Sequence, residues 1–148
     1  VFQFCTHIAQ VLVDCETGQV TVEKLVAVHD AGKMINPGGV YGQIEGGIAQ
    51  GIGYALTEEL IVQNGRTKNP SLENYIIPMA FDIPELDMEV LEFPEPVGAP
   101  LGAKGIAEAP IIPPAPAIRN AIYDAIGKPL YQLPMTAERV LPVPDPDD

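Results

Sequence analysis

Apolar and polar positions alternate along the first thirty residues, and this spacing predicts a β-hairpin. Gln3 to Asp14 carries a strand signal, strongest in Ile8-Ala9-Gln10-Val11-Leu12-Val13. Asp14-Cys15-Glu16-Thr17-Gly18 reads as a turn, with Gly18 placed for a positive φ. Val20 and Val22 then alternate with Thr21 and Glu23 before the apolar run Leu25-Val26-Ala27-Val28, so the two strands are expected to pair antiparallel.

After His29 the period changes. Asp30-Ala31-Gly32-Lys33 breaks the strand, and Asn36-Pro37-Gly38-Gly39 is a loop that can open a helix. From Val40 to Leu60 apolar residues recur at Val40, Ile44, Ile48, Ile52 and Leu56, a four-residue stride along one side of a helix. The same segment holds Gly42, Gly46, Gly47, Gly51 and Gly53. Each glycine costs about 1 kcal/mol against alanine in a helix. A helix bearing five is expected to need close backbone approach, to another element or to a ligand. Further on, Gln63-Asn64-Gly65-Arg66 is a turn, Asn69-Pro70-Ser71 opens a loop, and Leu86 to Phe93 reads as a strand. Pro94 to Pro116 is rich in Pro, Gly and Ala, yet Ile106, Ile111 and Ile112 want burial, so an ordered loop lining something is expected. Ala117 to Ile126 is a second helix, with Ile118, Ala121, Ile122 and Ala125 on one side and Gly127 as its cap. The expected class is α+β: an antiparallel hairpin and further strands packed with two helices. Residues 1–141 would be the folded part and 142–148 an acidic, proline-rich tail that frays.

Composition narrows the functional classes. A net charge of −12 argues against a nucleic-acid partner, which needs clustered Lys and Arg, and against docking on an anionic membrane. No apolar run reaches the roughly 18 residues of a membrane span. Cys5 and Cys15 form neither a CxxC pair nor a zinc spacing, and two thiols cannot hold an iron–sulfur cluster alone. Reduced thiols fit a cytoplasmic setting. The first residue is Val1, as expected of a chain that begins within a longer gene product or has been processed.

Two segments stand out chemically. In Gly42-Gln43-Ile44-Glu45-Gly46-Gly47-Ile48-Ala49-Gln50-Gly51, the residues Gln43, Gly47 and Gln50 share one helix face. Two carboxamides flanking a glycine suit the mixed donor and acceptor edge of a heterocycle, and equally suit the rim of a tightly packed helix pair. In Gly98-Ala99-Pro100-Leu101-Gly102-Ala103-Lys104-Gly105-Ile106-Ala107-Glu108-Ala109-Pro110, small residues let backbone N–H groups come near a ligand. Glu108 stands among Ile106, Ala107, Ala109 and Ile111. Packed among them it would be poorly solvated and a better proton acceptor, unless Lys104 lies near enough to offset the effect. Equally, Glu108 could cap a turn and face water.

Together these segments resemble the last part of the molybdopterin-binding subunit of the xanthine dehydrogenase and aldehyde oxidoreductase family. Val26-Ala27-Val28-His29-Asp30-Ala31-Gly32, the Ile35-Asn36-Pro37 turn and the closing helix share the likeness, which covers most of the chain. The resemblance implies that the fold is part of a larger molybdenum cofactor-binding domain. It puts Gln43 against the pterin, brings the backbone of Gly105, Ile106 and Ala107 close to the dithiolene, and makes Glu108 the general base that activates a hydroxyl on molybdenum. No side chain would ligate the metal, which is held through the dithiolene. The substrate would be an aldehyde or an N-heterocyclic aromatic carbon, and the inserted oxygen would come from water. Molybdopterin, with or without a cytosine nucleotide, would be the resident cofactor, with iron–sulfur clusters and FAD on other domains or subunits. The rest of the subunit would be needed for activity. One position departs from the family: Ala107 stands where glycine is usual, which matters if that backbone needs a positive φ or very close approach.

Two other readings remain. A non-catalytic binding or assembly module would keep the fold without a working metal site, and Ala107 is its main support. A hydrolase pairing Glu108 with Glu45 or Asp30 needs a defined carboxylate separation that nothing in the spacing enforces. His7 and His29 are the only histidines and are not expected to be ligands.

Overall fold

The computed structural model describes residues 2–94 and 98–141; the proline-rich tail expected at 142–148 lies outside them. The predicted hairpin forms from β1 (Cys5–Val13) and β2 (Val20–Asp30), paired antiparallel with a register shift between Gln10 and Val11. The turn closes as its residues dictate. Asp14 accepts the N–H groups of Glu16 and Thr17, and Gly18 takes φ 76°.

Asn36 caps α1 (Pro37–Leu56) by accepting the N–H of Gly39, and Pro37 supplies the first turn, where a missing N–H costs nothing. The stripe read from the sequence is the buried one, with Ile44, Ile48 and Ile52 facing the core. The helix ends at Leu56 and not at Leu60. The N–H groups of Thr57 and Glu58 both turn back to the Gly53 carbonyl, and Leu60 is exposed. Two short strands, β3 (Val62–Gln63) and β4 (Arg66–Thr67), flank the Asn64-Gly65 turn.

β5 (Glu85–Leu91) joins the sheet beside β2, in parallel, giving the order β1-β2-β5. α2 (Pro114–Ile126) starts three residues earlier than expected, because Pro114 and Pro116 both suit a first turn. Gly127 ends it at φ 69°, in the left-handed cap that only glycine adopts cheaply. Ile118 and Ile122 are buried, whereas Ala125 is exposed. A short α3 (Ala137–Val140) closes the described chain.

The two long helices cover one face of the sheet. Leu25 and Ala27 of β2 meet Ile44, Ile48, Ile118 and Ile122, with Ala9, Val11 and Val13 of β1 packed around them. Each buried Leu or Ile contributes about 1.5–3 kcal/mol. The opposite face of the sheet carries no helix among the described residues.

Candidate functional site

The Gly98 to Pro110 segment is ordered around a buried ion pair. Lys104 Nζ lies 2.5 Å from Asp30 Oδ2, and each side chain is 7% exposed. Asp30 Oδ1 accepts the N–H of Gly32 at 3.0 Å. Burial pushes the Asp30 carboxyl up; the hydrogen bonds from Lys104 and Gly32 pull it down and prevail, so it stays below the usual carboxylate range. Backbone bonds extend the clamp. Lys33 N donates to Gly102 O and Lys104 N donates to Ala31 O, so Gly32 and Ala103 face each other as an isolated bridge. Gly32 must be glycine, because its φ is +60° and a Cβ there would lie 2.4 Å from Gly102 O.

Downstream, the loop turns over the middle of α1. Pro110 sits on Gly47 and Pro114 on Gly51; a Cβ would come within 2.5 Å of the first and 2.7 Å of the second. At Gly53 a Cβ would come within 2.8 Å of Pro78, so three of the five glycines serve close contact with another part of the chain. Gly42 and Gly46 meet nothing within 4 Å. The face expected from Gln43, Gly47 and Gln50 is interrupted at its centre by Pro110. Gln50 turns to Tyr54 Oη at 3.2 Å.

Gln43 Nε2 donates to the carbonyl of Ala107 at 2.8 Å. A carbonyl only accepts, so the amide nitrogen must face the loop and Oε1 is left to accept from elsewhere. One hydrogen bond thus joins the two segments singled out in the sequence, across 64 residues. Gly105, Ala107 and Glu108 are exposed and Ile106 is half-buried against the core. Among the described residues, none of the four N–H groups from Gly105 to Glu108 has a protein acceptor. Ala107 is not among the residues with positive φ, so its Cβ carries no left-handed strain.

Of the two placements open to Glu108, the chain shows the exposed one, while Ile106 packs partly against the core. Glu108 precedes a 3-10 turn at Ala109–Ile111 and its side chain makes no cap. Lys104 is committed to Asp30 and does not serve Glu108. One expectation needs correction: Ile112, expected to be buried, is 68% exposed. The sequence reading also missed a histidine pair. His7 Nε2 and His29 Nε2 lie 2.7 Å apart, His29 is fully buried, and both Nδ1 atoms are buried without a partner among the described residues. Burial and the neighbouring His29 pull His7 down to about 4; burial also lowers His29. The signal was present in the pattern, since both residues fall on the inward phase of their strands. Cys5 and Cys15 are free thiols, and burial pushes Cys5 up.

Among the described residues no three His, Cys, Asp or Glu side chains are grouped to hold a metal ion. The donor set at the loop is instead a row of free backbone N–H groups, a carboxamide oxygen and one carboxylate. A model of the molybdopterin cofactor-binding domain matches residues 1–84. The chain belongs to that family. The xanthine dehydrogenase molybdenum-binding subunit of Escherichia coli O157:H7 is 41% identical over 92% of this chain and 18% of its own length. The aldehyde oxidoreductase of Megalodesulfovibrio gigas is 39% identical over 95% of this chain and 15% of its own. Among solved structures, quinoline 2-oxidoreductase from Pseudomonas putida 86 superposes with a TM-score of 0.84 at 38% identity, covering 90% of this chain and 17% of that one. The aldehyde oxidoreductase of Desulfovibrio desulfuricans gives 0.86 at 38% identity over 94% and 15%. The chain therefore spans less than a fifth of the length of these relatives. The family's cofactor fits the donors present: free N–H groups and a carboxamide match the polar edge of a pterin, and no protein metal ligand is required of this chain.

Proposed function

We propose that this chain is the C-terminal portion of the molybdenum-binding subunit of a hydroxylase that oxidises an aldehyde or an N-heterocyclic aromatic carbon, with oxygen drawn from water. The observation that carries the reading is the hydrogen bond from Gln43 to Ala107. It holds Gln43 of α1 against the loop that carries the N–H groups of Gly105, Ile106 and Ala107 and the exposed Glu108 side chain.

When bound, molybdopterin with its molybdenum supplies the two-electron redox chemistry. This chain supplies position and a proton acceptor. Gln43 Oε1 accepts from the pterin edge while its Nε2 stays on the loop. The N–H groups of Gly105, Ile106 and Ala107 donate to acceptor atoms of the cofactor. Glu108 takes up, at a carboxylate oxygen, the proton released as water-derived oxygen is transferred to the electron-poor carbon. The Asp30–Lys104 pair acts one step back, by fixing the base of the loop that carries Glu108. Electrons would leave through iron–sulfur and flavin partners, and the remainder of the subunit would complete the cofactor and substrate pockets. The reading of a non-catalytic module has Ala107 as its main support; the residue has no positive φ, so backbone strain does not favour that reading. Asp30 is engaged by Lys104, which removes one of the two carboxylates that a hydrolase could pair with Glu108.

The assembled protein, purified with its partner subunits, should contain molybdenum and a pterin and should oxidise members of an aldehyde and N-heterocycle panel. A molybdenum-free preparation that is inert on the whole panel would overturn the proposal. Gln43→Ala should lower cofactor occupancy or turnover; equal molybdenum content and equal rates in both proteins would remove Gln43 from the site.

A further inference from the structure

β1 sets large apolar side chains on its outer side. Its inward residues Ala9, Val11 and Val13 pack on the core, but Phe4, just before the strand, and Ile8 and Leu12 within it are 70%, 65% and 60% exposed, with Thr6 and Gln10 between them. A row of large apolar side chains on one exposed face marks a surface that another element covers. The other edge of the sheet has no such row. β5 turns Glu85, Asp87 and Glu89 outward, and Lys24 meets Glu85 at 2.8 Å on that side. Across the outer face the rows run Thr6-Val28-Glu89 and Ile8-Val26-Asp87, so the apolar character fades from β1 to β5.

β1 is also an open edge. Asp30 N donates to Phe4 O, so Phe4, Thr6 and Ile8 direct their backbone groups at β2. Cys5, His7 and Ala9 then direct theirs outward. No described residue accepts those three N–H groups. Free edges are commonly blunted by Lys, Pro or a very short strand. The nine residues of β1, CTHIAQVLV, contain neither Lys nor Pro.

We infer that the outer face and free edge of β1 form the seam through which this domain joins the rest of the molybdenum-binding polypeptide, by pairing with a strand of that polypeptide that lays apolar side chains over Phe4, Ile8 and Leu12. This rests on the functional reading above, and on the fact that more than four fifths of each relative's length lies outside the part matched here. That missing length is the occupant the seam calls for. Its pairing also fixes the sheet on which Asp30 and the cofactor loop are mounted.

The test uses the assembled protein. Hydrogen–deuterium exchange of the wild type should show Cys5, His7 and Ala9 amides protected, and benzoylphenylalanine in place of Phe4 should cross-link to a peptide of the same molybdenum-binding polypeptide outside these 148 residues. Exchange of those amides within seconds, or adducts to a second copy of this chain or to an iron–sulfur or flavin subunit, would overturn the inference. Molybdenum content of the same preparation is read separately: a metal-free protein with the expected adduct sinks the functional proposal and leaves the seam intact.

Discussion

Replacing Lys104 with methionine removes one member of a buried ion pair and leaves the other. Asp30 and Lys104 are each 7% exposed, so neither charge has much water to fall back on. After Lys104→Met the Asp30 carboxylate keeps the Gly32 N–H as an inward partner. Stranding a buried charge in this way costs about 3–5 kcal/mol. Lys24 gives the internal comparison. It pairs with Glu85 at the same kind of distance, but the side chains are 34% and 70% exposed, so Lys24→Met should cost about 1 kcal/mol or less. Urea unfolding of the 148-residue chain, followed by circular dichroism at pH 7, reads both values. A pH series adds a second, independent sign. In the wild type the Asp30 carboxyl is held below its ordinary value of 3.8, so its stabilisation is present above that value and lost as pH falls through the lower, folded one. Without Lys104, burial opposes the charged form, and protonating Asp30 relieves the variant. The gap between variant and wild type should therefore narrow from pH 7 to pH 4. A Lys104→Met penalty within about 1 kcal/mol of Lys24→Met would refute the claim that this pair anchors the loop.

The remaining predictions concern the histidine pair and the helix glycines. His7 titrates near 4 in the fold against 6.5 when free, so the unfolded chain binds protons first, and stability should rise with pH between about 4 and 6.5. His7→Phe should flatten that part of the urea-midpoint profile, and an unchanged slope would exclude the pair as its source. Gly47→Ala drives a Cβ to 2.5 Å from Pro110 and should cost about 1–3 kcal/mol in the same unfolding assay. Gly42→Ala meets nothing within 4 Å and should stabilise the isolated chain by about 1 kcal/mol while lowering molybdenum content in the assembled protein. If Gly42→Ala left cofactor loading unchanged, the open face of α1 would not be a cofactor surface.

What the sequence disclosed followed from local physics. The alternation of Val20, Thr21, Val22 and Glu23, the Asp14 to Gly18 turn and the Asn36-Pro37 start are each decided within a few residues, and all three form. The four-residue stride from Ile44 to Ile52 named the buried side of α1 because the core lies on one side only. What stayed hidden depends on distant partners. Nothing near Lys104 says that its carboxylate is Asp30, 74 positions away. Nothing within α1 says which glycines meet Pro110 and Pro114 and which stay open. The parallel pairing of β5 with β2 likewise needs the crossover through α1 to be known. Glu108 is a different case. Apolar neighbours in sequence leave both a packed and a water-facing placement open, because at Glu108 the loop is already turning into the 3-10 turn at Ala109–Ile111 and no simple alternation assigns its side chain to a face. The chain shows it exposed while Ile106 packs partly against the core. The resemblance assigns Gln43 and Ala107 to the cofactor separately; their contact with each other is a property of the fold alone.

The central claim is that Glu108 accepts a proton during turnover. Glu108→Gln keeps size and hydrogen bonding while removing the basic oxygen, and its exposed position predicts an intact fold. In the assembled enzyme, molybdenum content should stay near that of the wild type while kcat falls by at least about 100-fold. Full molybdenum content with kcat within about tenfold of the wild type would contradict the account.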